Sequence, residues 1–210
     1  MKQKNITLNQ KIKMNFNFKE DYTLENDVVR LQPLQTYDFE KLVVFSINEP
    51  EIWSFNANGP NSPENLMKYM ERALSQKEKL VEYPFLVFDK KSNKVAGSTR
   101  YYNINFEAKH LEIGFTWYGK EFQGTPLNKN CKYLLLEFAF EKLNIERVGF
   151  RANNLNYRSI AAMKSIGCVE EGVLRNFSTD ADGNRIDAIV LSIVKEEWFA
   201  TVKQNLKNKL

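Results

Sequence analysis

Residues 111–136 read LEIGFTWYGKEFQGTPLNKNCKYLLL, and they hold an extended segment, a turn and a helix start in one run. Leu111 and Ile113 alternate with Glu112, as in a strand that buries one face. Gly119 to Pro126 then forms a turn, and Cys131, Leu134, Leu135 and Phe138 recur at helical spacing. A strand that feeds a turn at a helix N-terminus leaves first-turn amides unpaired at the positive end of the helix dipole, so the place suits an anion. The run is not G-x-x-x-x-G-K-[ST], nor G-x-G-x-x-G followed by a ribose-binding acid. Pro126 stands where a glycine would serve an anion cradle better, because proline lacks the amide and fixes φ near −65°. It is well suited to the first position of a helix, with Thr125 as the cap.

On either side of this run the pattern alternates between strands and helices. LENDVVRLQPL (24–34) predicts a strand and TYDFEKLVVFSI a short helix, and Ser62-Pro63 opens a second helix. YPFLVFD and KVAGSTRYYNI form a hairpin around KKSNK, and HLEIGFTWY follows as a third strand. IERVGFRA is a strand, and NYRSIAAMKSIG is a helix stopped by Gly167. CVEEGVLRNFST and RIDAIVLSIV make a second hairpin around DADGN, and a last helix starts near Lys195. The order fits an α/β (mixed α+β) class, one sheet covered by helices, in a single domain over 21–210 after an Asn/Lys-rich arm at 1–20. Met14 is a candidate translation start within that arm.

Composition narrows the chemistry. The chain has 210 residues, 43% hydrophobic and 27% charged, the balance of a globular domain. No apolar run approaches the roughly 18 residues of a membrane span, so no membrane association is expected. The first 18 residues lack an apolar signal core and contain no arginine, which leaves the cytoplasm as the expected location. Cys131 and Cys168 lack metal-ligand spacing and read as buried thiols. With one histidine, His110, a zinc site or a Ser-His-Asp triad has no partners, so no metal is expected. The net charge of +4 is spread over both termini rather than gathered in a stripe, which argues against direct nucleic-acid recognition. Chemistry must then come from carboxylates, hydroxyls and backbone groups.

Three features are candidates. The turn at 119–128 is one. Asn156, placed to cap a helix, with Ser159 one turn on, is the second. Glu112, a carboxylate inside an apolar strand, is the third; it is either paired at a sheet surface or held in a cleft as a base.

In order and spacing, LEIGFTWYGKEFQGTPLN, the helix KYLLLEFAFEKL and IERVGFRANNLNYRSIAAMKSIGCVEEGVLR together resemble the GCN5-related N-acetyltransferases (GNAT superfamily), over about residues 24–195. The branch most resembled is the RimJ/RimL type, which acetylates N-termini of ribosomal proteins. The resemblance implies a mostly antiparallel mixed sheet, splayed at its centre between strands 109–118 and 145–152, with helices on both faces. It implies acetyl-CoA as cosubstrate and a primary amine as acceptor, a protein N-terminus or a small molecule, with direct attack in a ternary complex. It further implies that pantetheine pairs with the backbone of Thr116, Trp117 and Tyr118. The pyrophosphate would rest on amides of Gln123, Gly124, Thr125, Leu127 and Asn128, and Asn156 would bond the pantetheine arm. Glu112 would serve as the base and Ser159 as the proton donor to the leaving thiolate. By the same analogy the acceptor side would be walled by Trp53, Phe55 and Tyr102, residues that core packing would equally explain. The family pattern Q/R-x-x-G-x-G/A is altered here, with Pro126 and Asn128 at its two small positions. A monomer or homodimer is compatible with the sequence. Two other readings remain: an idle acyl-CoA-binding or regulatory module of this fold, and an unrelated mixed-sheet protein that binds another phosphate ligand.

Overall fold

The computed structural model describes residues 16–55, 59–180 and 183–210. Most of the expected arm, Met14 included, lies outside the described residues. Residues 16–20, also assigned to the arm, belong instead to the packed body. Phe18 is buried, and the Phe16 ring packs at 5.0 Å from Tyr22 and 5.2 Å from Tyr83. A hydroxyl bond from Tyr83 to the Glu20 carbonyl at 2.6 Å ties this segment down.

Eight strands form one sheet: β1 (Leu24–Glu25), β2 (Val29–Pro33), β3 (Tyr83–Asp89), β4 (Lys94–Asn105), β5 (His110–Tyr118), β6 (Arg147–Asn153), β7 (Val169–Thr179) and β8 (Arg185–Val194). Their spatial order is β1-β2-β3-β4-β5-β6-β8-β7, and every neighbouring pair is antiparallel except β5–β6. Helices α1 (Phe39–Asn48), α2 (Pro63–Glu78), α3 (Leu127–Glu137) and α4 (Tyr157–Ser165) cover the two faces together with a C-terminal helix, α5, over 195–207. The mixed α+β architecture expected from the sequence is thus the one observed.

Local chemistry explains the element boundaries. The single strand expected over 24–34 is broken, because the Asn26 side chain accepts the amides of Val28 and Val29, both at 3.0 Å. Such an Asx bond offers the backbone an alternative to the ladder. Ser62 caps α2 by accepting the Asn65 amide, and Pro63 follows at the first helical position. Helix α4 ends on Gly167 at φ 101°, with Gly167 N–H bonded to Lys164 and Cys168 N–H to Met163. That is the paired bonding of a Schellman stop, which favours glycine for its left-handed backbone.

Helix α3 lies between the sheet and α5, so apolar residues surround most of it; Cys131, Leu135 and Leu136 are fully buried. It widens into a π-type turn at Phe138–Lys142 before β6 begins. Trp198 of α5 stacks on Phe140 at 5.6 Å and donates its indole N–H to Glu141 at 2.9 Å. On the other face, Phe45 of α1 and Trp53 pack against Trp117 of β5 at 5.5 and 5.0 Å.

Strand β5 is gripped closely from the β4 side. At Gly97 an added Cβ would sit 2.1 Å from the Trp117 carbonyl oxygen. Because that obstacle is backbone, it cannot swing aside. We expect Gly97→Ala to lower unfolding free energy by about 2–4 kcal/mol, as for other strained or overpacked core sites. Urea denaturation checks this, and an unchanged midpoint would show that β4 and β5 can part at this point.

Candidate active site

The cleft arises where β5 and β6 separate. Parallel pairing holds only for His110 with Arg147, Leu111 with Val148 and Glu112 with Gly149. Beyond Glu112 the strands diverge, and residues 113–118 line one wall of a cavity of about 520 Å³. Ala152, Asn153 and helix α4 line the facing wall. The splay expected at the sheet centre is therefore present.

A bulge shapes the β5 wall. Arg100 pairs with Gly114 and Ser98 with Trp117, so Phe115 and Thr116 together stand opposite Thr99 alone. Phe115 takes φ 50°, unusual for a side chain of its size. It is held from three directions. Tyr69 of α2 donates its hydroxyl to the Phe115 carbonyl at 3.2 Å, the Arg100 guanidinium lies 4.2 Å from its ring, and Tyr102 packs edge-on at 5.2 Å. Arg100 is itself fixed by Glu82 at 2.6 Å. Strain that is held by this many contacts is a frequent mark of a functional position.

The turn after β5 presents an open concave face. Gly124 has φ 75°, and a Cβ there would meet nothing within 4 Å. Pro126 lies at φ −61° and ψ −15°, already helical, and its carbonyl accepts the Asn130 amide at 3.1 Å. Thr125 accepts the Leu127 amide at 3.3 Å and donates to the Phe122 carbonyl at 2.7 Å. Pro126 thus starts the helix under a Thr125 cap, as its chemistry suggests. Of the amides expected to face a pyrophosphate, that of Leu127 is taken by this cap, and that of Gln123 bonds Lys120 at 3.1 Å. Those of Gly124, Thr125 and Asn128 have no protein acceptor among the described residues. The Gln123 side chain donates to the Tyr118 carbonyl at 2.8 Å and accepts from Arg158 of α4 at 2.5 Å, bridging the mouth of the cleft. Tyr118 also donates its hydroxyl to Asn128 at 3.2 Å.

Asn156 and Ser159 lie on the opposite wall. Asn156 caps α4 by accepting the Ser159 amide at 3.0 Å, and both residues line the cavity. Ser159 is half-buried. Trp53, Phe55 and Tyr102 all line the same cavity. Trp53 is buried and packed on Trp117, whereas Phe55 is exposed.

Glu112 is more constrained than a strand carboxylate need be. It accepts from Tyr102 Oη at 2.5 Å, from Asn103 Nδ2 at 3.0 Å and from Arg151 Nη2 at 2.7 and 2.9 Å. Burial alone would raise its pKa, but the bonds from Tyr102 and Asn103 and the Arg151 charge outweigh it and hold the carboxyl below its ordinary value. Glu112 is not itself on the cavity wall; Tyr102 and Arg151 are. The structure thus gathers the site residues expected from sequence around one cleft and its adjoining turn, except that Glu112 reaches the cleft through its partners.

Sequence reading did not single out Arg151, Arg158, Phe115 or Lys132, all of which line this cavity. A signal existed for Lys132, a cation inside the otherwise apolar helix run CKYLLL. None existed for the Phe115 bulge, which depends on pairing with β4. Among the described residues no group of three or more His, Cys, Asp or Glu is placed to hold a metal, and no helix is long and apolar enough to cross a membrane.

The family profile for the acetyltransferase (GNAT) domain matches residues 29–169. The chain belongs to this GNAT acetyltransferase family, whose fold implicates acetyl-CoA as cosubstrate. It is similar to the "Putative ribosomal N-acetyltransferase YdaF" of Bacillus subtilis (strain 168), at 27% identity over 82% of this chain and 94% of that one. A solved structure of a "putative acetyltransferase" from T. thermophilus shares 34% identity, with a TM-score of 0.79 over 90% of this chain and 96% of its own. A GCN5-related N-acetyltransferase from Brucella melitensis superposes with a TM-score of 0.82 at 24% identity, covering 91% of this chain and 86% of its own. That last likeness concerns the fold.

The Glu112 cluster gives a pH-dependent expectation. A carboxyl whose folded pKa is depressed adds stability above its unfolded pKa of about 4.3, and loses it as pH falls through the folded value. Glu112→Gln also leaves Arg151 without its partner, so we expect a loss of about 1–3 kcal/mol at pH 7. The gap to wild type should narrow once pH falls below the carboxylate range. Chemical denaturation at several pH values checks this; a gap independent of pH would contradict it.

Proposed function

We propose that the protein is an N-acetyltransferase that moves an acetyl group from acetyl-CoA to a primary amine, by direct attack in a ternary complex. The observation that carries the reading is the edge of β5 from Ile113 to Tyr118, which β6 leaves unpaired, beside the unpaired amides of Gly124, Thr125 and Asn128. An extended pantetheine arm can add to such an edge as a further strand would. Diphosphate suits the turn, where donors and the helix dipole converge. In this reading Thr116 and Trp117 supply backbone bonds to the arm, and Asn156 another. Tyr118 does so once Gln123 releases its carbonyl.

Each remaining residue has a defined task. The backbone at the Phe115–Thr116 bulge presents an N–H to the thioester oxygen, where charge builds during attack. Ser159 donates its hydroxyl proton to the departing sulfur. Glu112, read from sequence as the base, holds Tyr102 and Arg151 in place. With its oxygens already engaged by Tyr102, Asn103 and Arg151, it takes no proton itself, and the ammonium proton leaves to water at the mouth of the cleft. Trp53, Phe55 and Tyr102 wall the acceptor side, and we favour a protein N-terminus as acceptor, in keeping with what the B. subtilis relative is named for. The two free buried cysteines suit the cytoplasm.

A second reading, an acyl-CoA-binding module without turnover, draws on the engagement of Glu112. Thiol release with a panel of N-terminal peptides and small amines separates the two. We expect release with at least one acceptor, and Ser159→Ala should slow it by about 100-fold or more while acetyl-CoA affinity by calorimetry changes little. Loss of affinity in that variant would make Ser159 a binding group. If acetyl-CoA at millimolar concentration neither binds nor raises the melting temperature, both readings fail. Pro126→Gly reports on the turn: tighter binding would show that the missing amide weakens it, and unchanged affinity that the amide was never needed.

A further inference from the structure

Lys132 is an ammonium group without a counter-charge. It sits in the second turn of α3, 6% exposed, and reaches up under β5 to the cavity that Thr116 also lines. Its Nζ donates to Thr116 Oγ1 at 2.7 Å and to Thr99 Oγ1 at 3.5 Å, and the two hydroxyls lie 2.7 Å apart. Among the described residues no carboxylate pairs with it. The groups around it are neutral: the Cys131 thiol of its own helix, Cys168 from the end of α4, the hydroxyls of β4 and β5, and, beside Cys131, the phenols of Tyr101 and Tyr118. Burial pushes the Cys168 thiol up to about 12 and raises that of Cys131, so neither supplies negative charge near neutral pH. Burial likewise brings Lys132 down to about 8.

A buried cation paired only with hydroxyls costs stability, since neutral dipoles replace hydration incompletely. It also leaves the floor of the cleft, under the bulge, short of one negative charge. We propose that Lys132 is a positioning residue whose positive charge stabilises the sulfur of coenzyme A as a thiolate. It acts from beneath Thr116, at the point where acyl transfer leaves electrons on sulfur. This rests on the acyl-CoA reading of the cleft. In the step it serves, the acceptor nitrogen forms the new C–N bond, the C–S bond breaks with its electron pair going to sulfur, and the amine proton leaves for water. Lys132 keeps its own proton throughout. The stabilised thiolate can leave unprotonated, and Ser159 relays a proton to it from water, taking one up as it gives its own.

The test needs no acceptor. Coenzyme A itself is bound to wild type, Lys132→Met and Lys132→Arg, and its thiol is titrated by thiolate ultraviolet absorbance. A charge close to the sulfur in a partly shielded cleft should hold the bound thiol about one pKa unit or more lower in wild type than in Lys132→Met. Lys132→Arg should restore most of the difference. Lys132→Met should also melt higher than wild type near pH 7. The sign follows from a folded pKa below the unfolded one: the cost of the charge is present below about 8 and disappears as pH rises toward the unfolded value of about 10.4. Equal thiol pKa values in wild type and Lys132→Met would overturn the inference, as would a Lys132→Met protein that no longer binds coenzyme A. A wild type that binds none would overturn the acyl-CoA reading first.

Discussion

Everything at this site depends on where β5 stops pairing with β6. Three parallel residue pairs, ending at Glu112 and Gly149, hold the two halves of the sheet together. Past them the β5 backbone turns an edge toward the cleft inside the molecule instead of toward solvent at the rim. Buried peptide groups strongly favour being paired, so an interior strand edge is a binding surface by its nature. Glu112 marks the boundary. It lies against Gly149, where an added Cβ would come within 3.0 Å of its Cγ, and its carboxylate crosses to Arg151 on β6 at 2.7 Å. The last rung of the ladder is thereby joined to an ion pair that fixes how far the strands open.

On one side of that junction the bulge at Phe115 re-aims the strand, locked by Tyr69 and Arg100. On the other, Gln123 and Arg158 span the mouth. Charge follows the same geometry. Behind Tyr102 the Glu112 carboxylate is matched by the Arg151 guanidinium at 2.7 Å, so that wall carries little net charge. Positive charge is carried by Lys132 under Thr116 and by the helix start at 124–128, where the acyl carrier is expected to lie. Positive charge so placed suits a reaction that leaves electrons on a thiol.

Much of the fold was legible because local chemistry and tertiary packing agree. Ser62-Pro63, Gly167 and the turn around KKSNK each act through their own backbone preferences, and the structure uses them as read. The break at Asn26 was not legible, because its amide also answers to Asn130 across the molecule at 2.8 Å. Phe16 and Phe18 were hidden in an otherwise polar segment, and Tyr22, Tyr83, Phe106 and Phe138 give them a core to join. At the site, the turn and the Asn156 cap could be read from residue order. The partners of Glu112 and Lys132 could not, since Tyr102, Arg151, Thr99 and Thr116 come from other strands and register alone brings them near.

The edge of β5 between residues 113 and 118 should receive the acyl carrier as an added strand. Amide hydrogen exchange, resolved by residue and compared with and without acetyl-CoA, tests it directly. New protection is expected at alternate amides along 113–118, together with the unpaired amides at 124–128. Protection confined to other strands, or none in this segment at saturating acetyl-CoA, would contradict it.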